Sequence, residues 1–206
     1  VVHLGRDDLR HTIDEVRALM GVALGPDIGD EMVTAVMDDS EGWPALVRLH
    51  AIAAMRGTRA DDAGGIRQLA RRAVEEHVLD QVLGPLPADL RSFALDISVL
   101  DVLTIEGCDA VAGRSATGDA LDRLAEHGVP LEAIDAHRRA LRLHGAVRTV
   151  ARAELARRDR DHWHDVHHRA ASYLERAGAP VEAVDHLLEI SDHVAAVEVL
   201  VGAHRS

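Results

Sequence analysis

Apolar residues recur at three- and four-residue spacing along most of this chain, which is the pattern of helices burying one face. Thr12, followed by Glu15 three positions on, reads as an N-cap with its reciprocal acid and opens a helix to about Met20. A second helix is expected from Asp27-Ile28-Gly29-Asp30 to about Met37. A third starts at Gly42-Trp43-Pro44 and ends near Gly57. Proline is at home in the first turn of a helix, where its missing N–H costs nothing, and glycine lets the chain turn sharply before it. Residues 58–65 are small and polar and read as a linker. A helix from about Ile66 to Leu83 then stops at Gly84-Pro85-Leu86-Pro87.

From Pro87 onward the pattern suits a winged helix. Helices are expected over Ala88–Leu95, Thr104–Ala112 and Ser115–His127, the last opened by Ser115-Ala116-Thr117-Gly118-Asp119. The short runs Val129–Ile134 and Ala140–His144 pair as the wing around Asp135–Arg139, a turn that lacks Gly and Asn. The following helix carries Val147, Val150, Ala151 and Leu155 on one face. The last 45 or so residues read as two or three antiparallel helices broken at Gly178 and near Ser191-Asp192, like the first unit of a tetratricopeptide-like array. Val1–Leu4 is the one further strand candidate. The fold class is therefore mainly α.

Five segments in order resemble one family. Asp8-Leu9-Arg10-His11-Thr12-Ile13-Asp14-Glu15 precedes Glu41-Gly42-Trp43-Pro44-Ala45; Leu141-Arg142-Leu143-His144 follows about a hundred residues later; then come His167-His168-Arg169-Ala170-Ala171 and Glu182-Ala183-Val184-Asp185-His186. Together they resemble the signal-transducing ATPases with numerous domains, in the branch of large LuxR-type regulators that includes the maltose-regulon activator. The resemblance implies a helical lid of a nucleotide-binding module over residues 1–60, a linker helix over 61–86, a winged helix over 87–159 and the start of helical repeats over 160–206. It also implies that Gly42, Trp43 and Pro44 meet the nucleotide, with Pro44 against adenine, and that His144 reaches the β-phosphate of ADP. The implied cofactor is ATP or ADP in an intact protein. The implied partners are an upstream P-loop domain, downstream sensor and helix-turn-helix domains, and a small-molecule or protein inducer.

Composition narrows the chemistry. Only 2 % of the 206 residues are aromatic, so Ala, Leu and Val must fill the core. All 23 basic residues are Arg, and the sequence contains neither Lys nor Asn. A phosphate-cradling Gly-Lys-Ser/Thr loop therefore cannot lie here, and no enzymatic activity is expected of this chain alone. The formal charge of −12 opposes nucleic-acid binding, which needs a basic face. Two features bear on the alternative, a DNA-binding winged helix. Arg138, Arg139, Arg142, Arg148 and Arg152 are a candidate basic strip, whereas the third helix holds Arg123 among Asp119, Asp122 and Glu126. A protein-interaction scaffold without a nucleotide role is the other alternative.

Arg157, Arg158 and Arg160 alternate with Asp159 and Asp161, the pattern of a salt-bridged helix end. His164 and His168 have the i, i+4 spacing of metal ligands, but the family resemblance accounts for His168 and no metal is expected; His162 lies on the same helix, which is expected to be exposed. Single Cys108, among Ile105, Ala110 and Val111, reads as core. No signal or membrane-length apolar run is present, and a cytoplasmic location is expected.

Overall fold

The computed structural model describes residues 9–56, 63–135, 137 and 139–204. The strand expected at Val1–Leu4, most of the 58–65 linker and two residues of the wing turn lie outside the described residues. Among those described, the chain holds eleven α-helices and one two-stranded sheet, so it is mainly α. It divides into two compact units, Val1–Gln81 and Val82–Ser206.

In the first unit, α1 (Ile13–Leu24) opens on the expected capping box: the Thr12 hydroxyl accepts from the Glu15 N–H at 3.3 Å, and the Glu15 carboxylate accepts from the Thr12 N–H at 2.7 Å. It runs a turn past Met20, because Val22, Ala23 and Leu24 continue without a breaker until Gly25 turns to a positive φ of 104°. Helix α2 (Asp30–Ser40) begins three residues later than Asp27 would have it: extended Gly29 is the N-cap, and no side chain caps the helix. Its end comes at Ser40 rather than Met37, where Glu41 turns left-handed. Helix α3 (Pro44–Arg56) has proline at its first position, and α4 (Ala63–His77) starts inside the expected linker. The last stretch before Gly84, Val78–Leu83, is wound as a π-helix. Val16, Met20, Val33, Val36, Val47, Ala51, Ala54 and Ile66 form one core from all four α-helices.

The second unit begins as a winged helix: α5 (Ala88–Ile97), α6 (Ile105–Ala112), α7 (Gly118–Glu126), then β1 (Leu131–Ala133) antiparallel to β2 (Leu141–Leu143). Leu103 pairs with Leu141 through two backbone bonds of 2.8 and 2.9 Å, tying the wing to the α5–α6 connection. The α7 start differs from expectation. Ala116 takes a positive φ of 62°, and the Asp109 carboxylate on α6 accepts from Thr117 N–H, Thr117 hydroxyl and Ala116 N–H. The residues read as a helix start thus form a turn held from the preceding helix, and α7 begins at Gly118. The wing turn, poor by composition, is held by Asp135, whose carboxylate accepts from the N–H groups of His137, Arg139 and Ala140. These bonds, foremost that from Arg139, hold its carboxyl below the usual range.

Helix α8 (Gly145–Arg158) buries Val147, Val150, Ala151 and Leu155, the four residues its periodicity selected. Asp159 ends it and caps α9 (Arg160–Arg176), its carboxylate accepting from the His162 N–H. Arg157 and Arg158 pair back to Glu154, rather than to Asp159 or Asp161. The chain breaks at Gly178 and at Ser191-Asp192, as expected, giving α10 (Pro180–Glu189) and α11 (His193–Ala203). Cys108 is buried, and burial pushes its thiol up to about 12, so it packs as core and is not a thiolate.

A layer of polar rings joins α8, α9 and α10. Arg152 lies over the Trp163 ring, His167 packs 4.0 Å from it, and His167 Nδ1 stands 3.1 Å from His186 Nδ1 and 3.2 Å from the His186 carbonyl. Because the carbonyl only accepts, His167 Nδ1 donates and its Nε2 is an acceptor, buried with no partner. Desolvation foremost, then the neighbouring His186 and Arg152, lowers His167 to about 3; desolvation and Arg152 lower His186 to about 4. Both rings stay neutral in the folded chain, whereas unfolded histidine protonates near pH 6.5. Their contribution to stability is therefore complete above about pH 6.5 and is lost as the pH falls toward 4 and then 3. The urea midpoint should fall from pH 7 to pH 4.5, and His167→Leu should make that fall shallower; an equal fall in both proteins would exclude this pair as the source.

Candidate functional site

Ser40 to Pro44 form a tight corner between α2 and α3. Glu41 and Gly42 both have positive φ, 47° and 73°, and the second is obligatory: a Cβ on Gly42 would stand 2.5 Å from the His11 carbonyl oxygen. The approach is that close because the His11 N–H donates to the Gly42 carbonyl at 2.8 Å, drawing the strand of chain ahead of α1 against the corner. Trp43 N–H donates to the Ser40 carbonyl, and the Trp43 carbonyl accepts the first bond of α3 from Val47. The Trp43 ring meets His77, at the end of α4, edge-on at 6.1 Å between centroids. Pro44 occupies the first turn of α3, half-buried. Gly42, Trp43 and Pro44 are thus one rigid constellation of the first unit.

His144 belongs to the second unit, between β2 and α8, and is 2 % exposed. Its backbone N–H donates to the Pro130 carbonyl at 3.0 Å, and its Nδ1 accepts from the Ala146 N–H at 3.2 Å. The ring therefore serves as the N-cap of α8. An accepting Nδ1 leaves the ring hydrogen on Nε2.

Several arginines of the second unit face carboxylates. Arg123 of α7 pairs with Asp89 of α5 at 3.2 Å. Of the candidate basic strip, Arg142 pairs with Glu132, Arg148 with Asp101, and Arg152 with Glu189; Arg139 is exposed in the wing turn, and Arg138 lies outside the described residues. His162 is not a bystander on an open face. Its Nε2 meets the buried Asp96 carboxylate at 2.7 Å, bridging α9 to α5. From its sequence the helix is expected to be exposed, and nothing local to it shows that α5 packs there. His164 and His168 diverge: His168 Nε2 faces Asp192 at 3.5 Å, and His164 Nε2 is buried without a partner. Among the described residues no group of three His, Cys, Asp or Glu side chains is arranged to hold a metal ion. No described helix is long and apolar enough to cross a membrane.

With these positions in hand, comparison with known proteins is specific for the middle of the chain. Residues 79–163 match the family model for the MalT winged helix domain. The match runs from the π-helical turn through α5–α7, the wing and α8 into the first turn of α9. The whole chain is similar to the serine/threonine-protein kinase PknK of Mycobacterium tuberculosis, 28 % identical over 193 residues, covering 93 % of this chain and 17 % of that protein. It is also similar to the HTH-type transcriptional regulator MalT of Vibrio parahaemolyticus, 21 % identical over 202 residues, and of Yersinia enterocolitica, 22 % over 194, covering 97 % and 93 % of this chain. Each time it spans 22 % of the regulator's length. Residues 79–163 are thus similar to the MalT winged helix domain, and the chain as a whole is similar at low identity to a segment of MalT regulators.

Sequence reading missed Ser40, which lies next to the motif; a hydroxyl residue two positions before a glycine at a helix end is the signal that marks such a turn. Two measurements follow from the geometry. Gly42→Ala should cost about 1–3 kcal/mol for the left-handed backbone alone, and more for the clash with His11. Gly21→Ala, in mid-helix with nothing within 4 Å, should instead add about 0.5–1 kcal/mol. Equal unfolding free energies for the two variants would show that the corner relaxes freely. Because α7 is acidic and its arginine paired, the chain should not retard duplex DNA at physiological salt; micromolar binding with a steep salt slope would contradict this.

Proposed function

We propose that this chain is the nucleotide-sensing lid and winged-helix part of a larger ATP-dependent transcriptional regulator of LuxR type. The supporting observation is a winged helix matching that of MalT at residues 79–163, downstream of a Gly-Trp-Pro helix start whose glycine tolerates no side chain. In this reading Gly42 and Pro44 bring the first turn of α3 against the base of ADP or ATP, with Trp43 as the wall beside it. His144 donates from Nε2 to a phosphate oxygen. The P-loop is supplied by an upstream domain of the same longer chain, and DNA is read by a helix-turn-helix domain elsewhere in it. Inducer binding on downstream repeats shifts the population between a closed, ADP-bound resting state and an open active state. The protein works in the cytoplasm. The paired Arg123 and the acids around it disfavour the reading in which α7 itself binds DNA.

The buried position of His144 sets the form of the test. His144→Ala removes both the helix cap and the phosphate donor; His144→Asn retains a cap and lacks the imidazole. In the longer protein both should lower ADP affinity on the order of ten- to a hundredfold, the worth of a bond to a charged group, and raise inducer-independent transcription. His193→Ala, on an exposed residue of α11, is the control. Full recovery of ADP affinity in the Asn variant would reduce His144 to a cap.

A further inference from the structure

The Gly42-Trp43-Pro44 corner is built on a residue that the motif does not contain. Ser40, the last residue of α2, is wholly buried. Its hydroxyl oxygen accepts from the Gly42 N–H at 3.2 Å, and its carbonyl accepts from the Trp43 N–H at 2.8 Å. Between them lie two consecutive residues of positive φ, one of which is glutamate, a residue type that seldom adopts that region unaided. Beside the corner, the buried His50 of α3 reaches the Leu46 carbonyl with Nδ1 at 2.9 Å and stands 3.6 Å from the Asp39 carboxylate with Nε2, bracing the start of α3 against the end of α2.

We propose that Ser40 is the positioning residue of the Gly-Trp-Pro motif: its bonds to the Gly42 and Trp43 N–H groups select the left-handed Glu41-Gly42 turn that aims Trp43 and Pro44, and thereby set nucleotide affinity without touching nucleotide. The consequence for affinity rests on the nucleotide-lid reading; the effect on the corner does not. Backbone bonding alone leaves the Gly42 N–H to be satisfied by a side chain, and the Ser40 hydroxyl is the group that reaches it. Alanine at position 40 suits the end of α2 and removes the hydroxyl that accepts from Gly42, so the turn loses its selection while the helices remain.

The test uses two preparations. In the 206-residue chain labelled with 5-fluorotryptophan, Trp163→Phe assigns the two fluorine resonances. Ser40→Ala should shift or broaden the Trp43 resonance and leave that of Trp163 in place. Ser40→Thr, which keeps the hydroxyl, should restore it, and so should adding Glu41→Gly to Ser40→Ala, because glycine favours the left-handed turn without help. In the longer protein, ADP affinity should fall about three- to tenfold in Ser40→Ala, the worth of one neutral hydrogen bond, and recover in the same two rescues. An unmoved Trp43 resonance overturns the positioning role. A moved resonance with unchanged ADP affinity, where Pro44→Ala does weaken ADP, overturns the link from corner to affinity. If Ser40→Ala, Pro44→Ala and His144→Asn all leave ADP affinity unchanged, the nucleotide-lid reading itself fails, and the inference about affinity falls with it.

Discussion

Close approach of helices is the constraint on which this molecule depends. With one Phe and one Tyr in 206 residues, large rings cannot fill the space between helices, so Val, Ala and Leu do so at short range. The contact between α6 and α9 shows the scale: a Cβ on Gly107 would lie 3.1 Å from the Tyr173 ring, whose hydroxyl bonds to Thr104 at the start of α6. The sole phenylalanine, Phe93, is buried in α5 beneath the Arg114 guanidinium. Small residues therefore leave little slack, and the connections between helices must turn abruptly.

Side-chain acceptors make those turns. In a chain without Asn, Asp109, Asp135, Asp159 and Asp192 each accept from backbone N–H groups at a helix start or loop, and Ser40, Thr104 and His144 do the same with a hydroxyl or a ring nitrogen. Each bond satisfies a donor that the adjoining helix or strand leaves open. The residues proposed to meet nucleotide lie within this system. Gly42 follows a turn closed by Ser40, and His144 caps the helix it begins. In these places, the group that shapes the backbone and the group proposed to recognise a ligand are neighbours or the same residue.

The acidic charge is organised by the same packing. Arg91 is spent on the Leu83 and Gly84 carbonyls at the helix end before α5, and Arg169 on the Val111 carbonyl at the end of α6. Arg123, Arg142, Arg148 and Arg152 are each opposite a carboxylate. Arginines of the winged helix that face carboxylates and carbonyls of the same chain are not open to a phosphate backbone. Burial of Asp96 raises its carboxyl despite His162, so that pair joins the winged helix to α9 through a group whose charge depends on its partner.

Local chemistry determined the mainly helical class, the Thr12–Glu15 cap, proline at the start of α3, the buried face of α8 and the breaks at Gly178 and Ser191, because each depends on residues within one helical turn of one another. The resemblance of segments in order, not local chemistry, singled out Gly42, Trp43, Pro44 and His144. Tertiary structure decided the rest. Asp109 moved the start of α7 by reaching across from α6, Asp135 closed a turn that composition disfavoured, and Asp96 claimed a histidine of a helix expected to be exposed. Only the folded chain showed why position 42 must be glycine, since the atom that forbids a side chain there belongs to His11, thirty-one residues away. Spacing along a chain records which residues share a face; which other segment arrives at that face is a property of packing.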